Sequence, residues 1–179
     1  YSAGINKRAS MTVSIRAFQP ADWPQLWPIL QAVFRRGDTY TYPPEATEEE
    51  IHALWIARPE ATFVACDDAG QVIGTYYLRP NQQGNAAHVC NCGYVVAEAA
   101  RGGGVATLMC EHSQGQARAR GYLAMQFNFV VSTNVGAVRL WERLGYAIVG
   151  TLPHAFRHPQ AGLVDAHVMY KWLGPEPAR

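Results

Sequence analysis

Three consecutive glycines form the stretch of this chain that is best suited to binding a charged group. Gly102, Gly103 and Gly104 follow an apolar strand-like run and precede a helix-like segment that begins at Val105. Glycines leave backbone N–H groups uncovered at the start of a helix, where the aligned peptide dipoles also create a partial positive charge. The stretch therefore predicts a site for a phosphorylated ligand; the alternative is that it forms only a tight turn.

Two familiar phosphate-binding loops do not match this stretch. A Walker loop requires Lys and then Ser or Thr directly after its last glycine, where this chain has Val105 and Ala106. The dinucleotide-binding fingerprint requires a further glycine three residues after its second one, and that spacing also fails. The chain is therefore expected to bind phosphate through neither of these motifs.

Two asparagines stand within otherwise apolar runs and are the next candidates for chemistry. Asn91 lies in the run 88–94, and Asn128 lies in the run 125–131. A buried amide must satisfy both its NH₂ group and its oxygen, and an unmatched one costs about 1 to 3 kcal/mol. The two side chains therefore either tie neighbouring strands together or form hydrogen bonds to a substrate.

The composition is typical of a globular domain whose partner is a small molecule. The net charge is +1, with 49% hydrophobic and 16% charged residues. There is no basic excess that would indicate nucleic acid, and no apolar run long enough to span a membrane. The chain of 179 residues suits a single domain, which we assign to 11–179; residues 1–10 are polar and small, and we expect them to be an expression remnant.

The cysteines indicate a reduced, cytoplasmic protein without a metal site. Cys66, Cys90, Cys92 and Cys110 form no CxxC spacing, and no secretion signal precedes them. Alternate strand residues that face a core explain the pair at 90 and 92 better than metal binding does.

Hydrophobic periodicity predicts the element order β-α-α-β-β-β-α-β-α-β-β. The first helix is expected to end near Gly37, and Thr47 with Glu50 forms a capping box for the second. A His/Pro/Gly-rich loop is expected between the last two strands. The predicted strands are 13–18, 62–66, 72–78, 87–96, 123–130, 146–152 and 165–172, and the last two helices are 105–120 and 134–144.

Two motifs in this order resemble those of the GCN5-related N-acetyltransferases. Arg101, Gly104 and Ala106 occupy the defining places of R/Q-x-x-G-x-G/A. The segment 134–146 is similar to the family's N-x-x-A-x-x-L/F-Y-x-x-x-G-F/Y. The resemblance covers most of the chain and implies an α/β (α+β) fold: a central mixed, mostly antiparallel sheet with a splayed parallel strand pair, flanked by helices.

The resemblance also implies a site for acetyl-CoA. In the family, loop amides bind its pyrophosphate, and the main chain at the splay binds its pantetheine arm and acetyl oxygen. Trp141 stands where the family often has a tyrosine that protonates the leaving thiolate. An indole N–H donates hydrogen bonds but effectively never gives up its proton, so Trp141 cannot be a general acid. It packs either against the arm or in the core. The residues carried over are Tyr94, Val95, Val96, Arg101, Gly102, Gly103, Gly104, Val105, Ala106, Asn134 and Trp141.

A narrower resemblance is to the yeast proline-analogue acetyltransferases, which act on L-azetidine-2-carboxylate. It implies that Asn91 and Asn128 hold the substrate and that Asn134 lies near the thioester, so that Asn128 and Asn134 are the catalytic residues. Tyr40 and Tyr42, in the loop after the first helix, either bind the substrate or cover the core. The expected partner is then the small amine or imino acid. The sequence leaves open whether the protein forms a homodimer.

Three histidines are candidate general bases. His88 is expected to face away from Asn91 if its strand is regular, whereas His154 and His158 are expected in a loop beside the cleft. A water chain could replace all three.

Two other functions compete with this one. They are an acetyltransferase of the phosphinothricin or methionine sulfoximine type and a non-catalytic acyl-CoA-binding sensor. The missing tyrosine at 141 favours the sensor.

Overall fold

A mixed seven-stranded sheet forms the centre of the protein. The computed structural model describes residues 12–176, so the interpretation of 1–10 lies outside the described residues. The strand order is β1-β2-β3-β4-β5-β7-β6, and the pair β4–β5 is parallel while the other described pairs are antiparallel. The predicted architecture is therefore confirmed. The strands are β1 Ser14–Ala17, β2 Ala61–Cys66, β3 Val72–Pro80, β4 Val89–Val96, β5 Ala124–Val131, β6 Ala147–His158 and β7 Gly162–Trp172.

Within the described residues, four α-helices cover the two faces of this sheet. They are α1 Trp23–Arg36, α2 Glu48–His52, α3 Val105–Ala119 and α4 Val135–Arg143. The apolar residues of α1 and α2 pack on one face, and those of α3 and α4 pack on the other. Because strand side chains alternate between faces, neighbouring β4 residues serve different cores: Val95 joins the α1 side, whereas Tyr94 and Val96 join the α3 side.

The ends of the first two helices follow local sequence signals. Helix α1 ends at Gly37, whose φ of 65° is a left-handed conformation that favours glycine. At the start of α2, the Thr47 hydroxyl accepts a hydrogen bond from the Glu50 N–H, and the Glu50 carboxylate accepts one from the Thr47 N–H. The predicted capping box is confirmed, and both helices flank the segment that holds Tyr40 and Tyr42.

Strands β4 and β5 pair for only a short distance. Their register joins Val89 to Ala124 and Cys90 to Met125. Beyond these pairs β4 stays bonded to β3 as far as Val96, while β5 stays bonded to β7. The two parallel strands therefore separate from Asn91 onward, which is the splay that the family resemblance implied.

The prediction of a His/Pro/Gly-rich loop between the last two strands is wrong. Strands β6 and β7 instead form one long hairpin with a short turn between His158 and Gly162. Proline is tolerated on an edge strand, and the register shift between Leu152 and Phe156 absorbs Pro153 and His154, whose φ is 54°. Long-range pairing with β7 overrides the local turn signals here. The other differences are small: β4 begins two residues later than predicted, after a 3₁₀ turn at Gly84–Ala86.

Candidate active site

The separation of β4 and β5 opens a cleft of about 710 Å³. The segment after α1 and the ends of β3 and β4 form one side of its lining. Strand β5, the glycine loop with the start of α3, and one side of α4 form the rest. Predicted site residues that line it are Tyr40, Tyr42, Asn91, Tyr94, Val95, Val96, Arg101, Gly102, Ala106, Asn128, Asn134 and Trp141.

The glycine loop presents the uncapped start of α3 to this cleft. Gly102 and Gly104 have φ values of 76° and 79°, which a side chain would strain. Gly104 is the N-cap of α3. The first turn of α3 contains no acidic residue, and no side chain caps the helix. Val105 is buried in the core, so it fixes the loop through packing rather than through the cleft. Free first-turn N–H groups and a positive dipole end fit a pyrophosphate.

The exposed backbone edge of β4 forms the middle of the cleft. Because β4 and β5 have separated at this point, the Tyr94 carbonyl does not pair with β5. It accepts a 2.6 Å hydrogen bond from the Tyr40 hydroxyl. The Tyr94 ring points to the opposite face, where its hydroxyl lies 2.7 Å from Ser113 Oγ. Burial raises the pKa of Tyr40 well above its ordinary value, so this hydroxyl keeps its proton.

The two tyrosines of the α1–α2 segment pack against the core and also line the cleft. Their rings stack on each other at 5.8 Å, and each meets Phe34 edge-on. Tyr40 also packs against Trp55. Because both residues line the cleft as well, one aromatic cluster covers the core and forms the wall of the site.

Helix α4 contributes an aromatic wall and a polar group. Trp141 is buried, with its ring 5.0 Å from that of Tyr94 and 5.1 Å from that of Phe127. Asn134 occupies the N-cap position of α4, but its side chain makes no capping hydrogen bond. The Asn134 side chain lines the cleft instead.

Asn91 is buried where the two parallel strands part, and its amide ties them together. Its Nδ2 donates to the Gln126 carbonyl at 3.0 Å. Its Oδ1 accepts from the Tyr77 hydroxyl at 3.2 Å and from Arg79 Nε at 3.4 Å. The structural alternative for this residue is thus present, at a position that also borders the cleft.

Asn128 is exposed, and the expectation that it is buried is wrong. It follows buried Phe127 on β5, so it points to the opposite face at a place where β4 no longer covers that strand. Its Oδ1 accepts from Gln126 Nε2 at 2.9 Å, and its Nδ2 donates to Asn81 Oδ1 at 2.6 Å. The side chain therefore stands on the solvent side of the cleft.

Sequence reasoning missed two residues of β3 that belong to the site. Tyr77 faces Gly93 and Arg79 faces Asn91 in the β3–β4 register. Both side chains line the cleft, and the Arg79 guanidinium lies over the Tyr77 ring at 5.3 Å. Burial raises the pKa of Tyr77 above its ordinary value. The available signal was an arginine directly after a long apolar run.

None of the three candidate histidine bases lines the cleft. His88 lies in the turn before β4 and is exposed. His154 is a strand residue of β6 whose N–H donates to Asp165, and His158 Nδ1 accepts from the N–H groups of 160 and 161 to close the hairpin turn. Their placement in a loop beside the cleft is therefore wrong, because that loop is part of the hairpin.

The four cysteines are buried free thiols. Cys92 lines the cleft, and burial raises its pKa, which disfavours the thiolate. Within residues 12–176, no group of three or more His, Cys, Asp or Glu side chains is arranged to hold a metal ion. No helix in that same range has the length and apolar character needed to cross a bilayer.

The chain belongs to the acetyltransferase (GNAT) family, because the model of that family matches residues 23–146. A solved GCN5-related N-acetyltransferase from Kribbella flavida is 41% identical, with a TM-score of 0.85 over 89% of this chain and 97% of that one. A phosphinothricin acetyltransferase from Sinorhizobium meliloti, solved in complex with AcCoA, shares the fold at 20% identity and a TM-score of 0.81, over 94% and 95% of the two chains. Members of the family use acetyl-CoA as the acetyl donor.

A fungal relative is similar over a shorter stretch. The N-acetyltransferase aca1 of Schizosaccharomyces pombe is 31% identical over 111 residues, which are 62% of this chain and 53% of the relative. The chain thus spans about half the length of that protein. The similarity supports the family but leaves the acceptor to be proposed from the site.

Proposed function

We propose that this protein transfers an acetyl group from acetyl-CoA to the neutral nitrogen of a small imino or amino acid, with proline analogues such as azetidine-2-carboxylate as the favoured acceptors. The observation that carries the proposal is the cleft at the splay. It has an uncapped helix start, which suits an anion, on one side and amide and phenol groups, which stay uncharged, on another. Acetyl-CoA, when bound, supplies the acetyl group as a thioester.

The donor side uses mainly backbone groups. The N–H groups of the loop 101–106 hold the pyrophosphate, and the free edge of β4 at Tyr94, Val95 and Val96 holds the pantetheine arm. Trp141 packs beside this edge and excludes water from it, because its ring already lies against that of Tyr94. Tyr40 contributes a hydroxyl at the same edge.

The acceptor side uses Asn128, Tyr40 and Tyr42, and Asn91 supports it from the buried end of the cleft. Amides and phenols hold the acceptor without adding a negative charge that would keep its nitrogen protonated. Asn128 aligns the nitrogen, and Asn134 polarises the reacting carbonyl as a hydrogen-bond donor. Among residues 12–176 the cleft is lined by no histidine, and we assign the removal of the acceptor's proton to a chain of water molecules.

A turnover assay with a panel of amines tests this function. The wild-type protein is mixed with acetyl-CoA and azetidine-2-carboxylate, proline, phosphinothricin, methionine sulfoximine or simple primary amines, and thiol release is followed against a control without acceptor. We expect the highest kcat/KM for a cyclic imino acid. A preference for phosphinothricin or methionine sulfoximine would give the protein a different acceptor. Binding of acetyl-CoA without release for any amine would make it a sensor.

A further inference from the structure

Arg79 is a cation in the acceptor part of the cleft without a carboxylate partner. The ion pairs within residues 12–176 join Arg16 to Asp22, Arg36 to Asp38, and Arg120 to Glu60, and none includes Arg79. Asp38 is the acidic residue among those that line the cleft, and it lies 3.6 Å from Arg36. Asp38 Oδ1 accepts no hydrogen bond from the described residues, and its ion-pair partner is Arg36 rather than Arg79. The half-buried Arg79 therefore has no carboxylate partner among these residues.

The neighbours of Arg79 hold its guanidinium in one orientation. Its Cζ lies 5.3 Å above the Tyr77 ring, and its Nε points to Asn91 Oδ1 at 3.4 Å. The same oxygen accepts the Tyr77 hydroxyl, and Asn91 in turn is fixed to β5 through Gln126. With Nε engaged, the two terminal nitrogens of the planar fork stay available, and that fork matches a carboxylate bidentately.

We propose that Arg79 is a carboxylate-binding residue that selects acceptors with an acid group next to the reacting nitrogen, and that Asn91 positions Arg79. This inference rests on the proposed function and names the acceptor class more narrowly, as amines with an α-carboxylate. The arrangement also suits the chemistry. Neutralising the carboxylate removes the negative charge that would otherwise stabilise the protonated amine.

Two acceptors that differ only in the acid group test the proposal. Azetidine-2-carboxylate and azetidine are compared in wild type, Arg79→Gln and Arg79→Lys, with Arg157→Gln on an exposed part of β6 as the control. Because each variant is compared with wild type on the same pair, the difference in basicity between the two amines cancels. In Arg79→Gln, kcat/KM for azetidine-2-carboxylate should fall roughly 10- to 150-fold, mostly through KM. For azetidine it should change by less than about threefold.

The lysine variant separates charge from geometry. Arg79→Lys keeps the positive charge but loses the planar fork, so it should recover part of the preference for azetidine-2-carboxylate. Arg157→Gln should match wild type with both amines. If Arg79→Gln weakens both amines equally, or neither of them, Arg79 is only a packing partner of Tyr77 and the proposal is overturned.

A double-mutant cycle tests the positioning role of Asn91. If Asn91 acts through Arg79, Asn91→Ala should cost less than Arg79→Gln, and the double variant should match Arg79→Gln alone. Fully additive losses in KM would mean that Asn91 contacts the acceptor directly, which would overturn this part of the proposal. The acetyl-CoA KM should stay within about twofold of wild type in every variant.

Direct binding keeps the inference separate from the proposed activity. Calorimetric titration of azetidine-2-carboxylate into the CoA-loaded protein measures the subsite without turnover. A Kd that rises roughly 10- to 150-fold in Arg79→Gln supports the subsite, even if no amine were acetylated and the proposed function failed. Equal affinities for azetidine-2-carboxylate in wild type and Arg79→Gln overturn the inference, even if acetylation is observed.

Discussion

Replacing Gly93 with alanine should destabilise the protein and damage the acceptor side of the cleft. A Cβ at this position would lie 2.6 Å from Tyr77 Cε1 and 2.9 Å from its Cζ, well inside van der Waals contact. The Tyr77 ring has little room to move, because it meets Trp55 edge-on at 4.8 Å and lies under the Arg79 guanidinium. The added methyl group must therefore displace a packed ring or the strand itself.

Overpacking a buried site lowers the free energy of unfolding by about 1 to 3 kcal/mol. For a chain of this size each kcal/mol lowers Tm by about 2 to 4 °C, so Tm should fall by about 2 to 12 °C. Moving the ring also pulls the Tyr77 hydroxyl from Asn91 Oδ1, which it meets at 3.2 Å. Misplacement of this kind can cost up to about 100-fold in kcat/KM for the acceptor.

Gly115→Ala is the matched control, because it makes the same chemical change at an open position. A Cβ there meets no atom within 4 Å, and the residue is exposed in α3. Alanine in a helix is favoured over glycine by about 0.5 to 1 kcal/mol, so Tm should rise. Thermal unfolding and acceptor kinetics of both variants are measured together. A Gly93→Ala protein with the wild-type Tm and unchanged KM would refute the packing of Tyr77 described above.

Substitutions at three further positions test the donor side of the cleft. Ala106→Glu should raise the Kd for acetyl-CoA roughly tenfold or more relative to Ala106→Gln, because a negative charge meets the pyrophosphate; calorimetry checks this, and equal values would mean that the loop does not hold it. Ala106→Glu should not lower Tm, because an acid in the first turn favours the helix. Trp141→Phe should lower kcat no more than several-fold if packing is its role, and a loss of about 100-fold would indicate a specific indole hydrogen bond. Asn134→Ala should lower kcat at nearly constant Tm, since its side chain caps nothing; a Tm loss like that of a broken cap, about 1 kcal/mol, would assign it a structural role.

Local chemistry made much of the fold readable from the sequence. Gly37, Thr47 with Glu50, and the glycine loop each end or begin a helix through contacts with near neighbours, so their types and spacing suffice. The motif pair ending at Ala106 and beginning at Asn134 implied the splayed sheet through its resemblance to the GCN5-related N-acetyltransferases. These features require no knowledge of which distant strands pair.

Features that depend on long-range pairing could not be read in the same way. Asn91 and Asn128 have similar sequence surroundings, yet Asn91 is buried and Asn128 is exposed. The reason is that β4 separates from β5 after the first few residues, so β4 does not cover Asn128. His154 and His158 carry turn signals, but pairing with β7 makes them strand residues. Arg79 gained meaning only when the register placed it opposite Asn91.

Analysis of the products formed by the wild-type protein tests acetyl transfer most directly. Acetyl-CoA and azetidine-2-carboxylate are incubated with the protein, and free CoA and the N-acetylated imino acid are quantified together by mass spectrometry. We predict that the two products appear in a one-to-one ratio and only when protein and acceptor are both present. Release of CoA without the N-acetylated product, or no release from a protein that binds acetyl-CoA, would contradict acetyl transfer to an imino acid in this cleft.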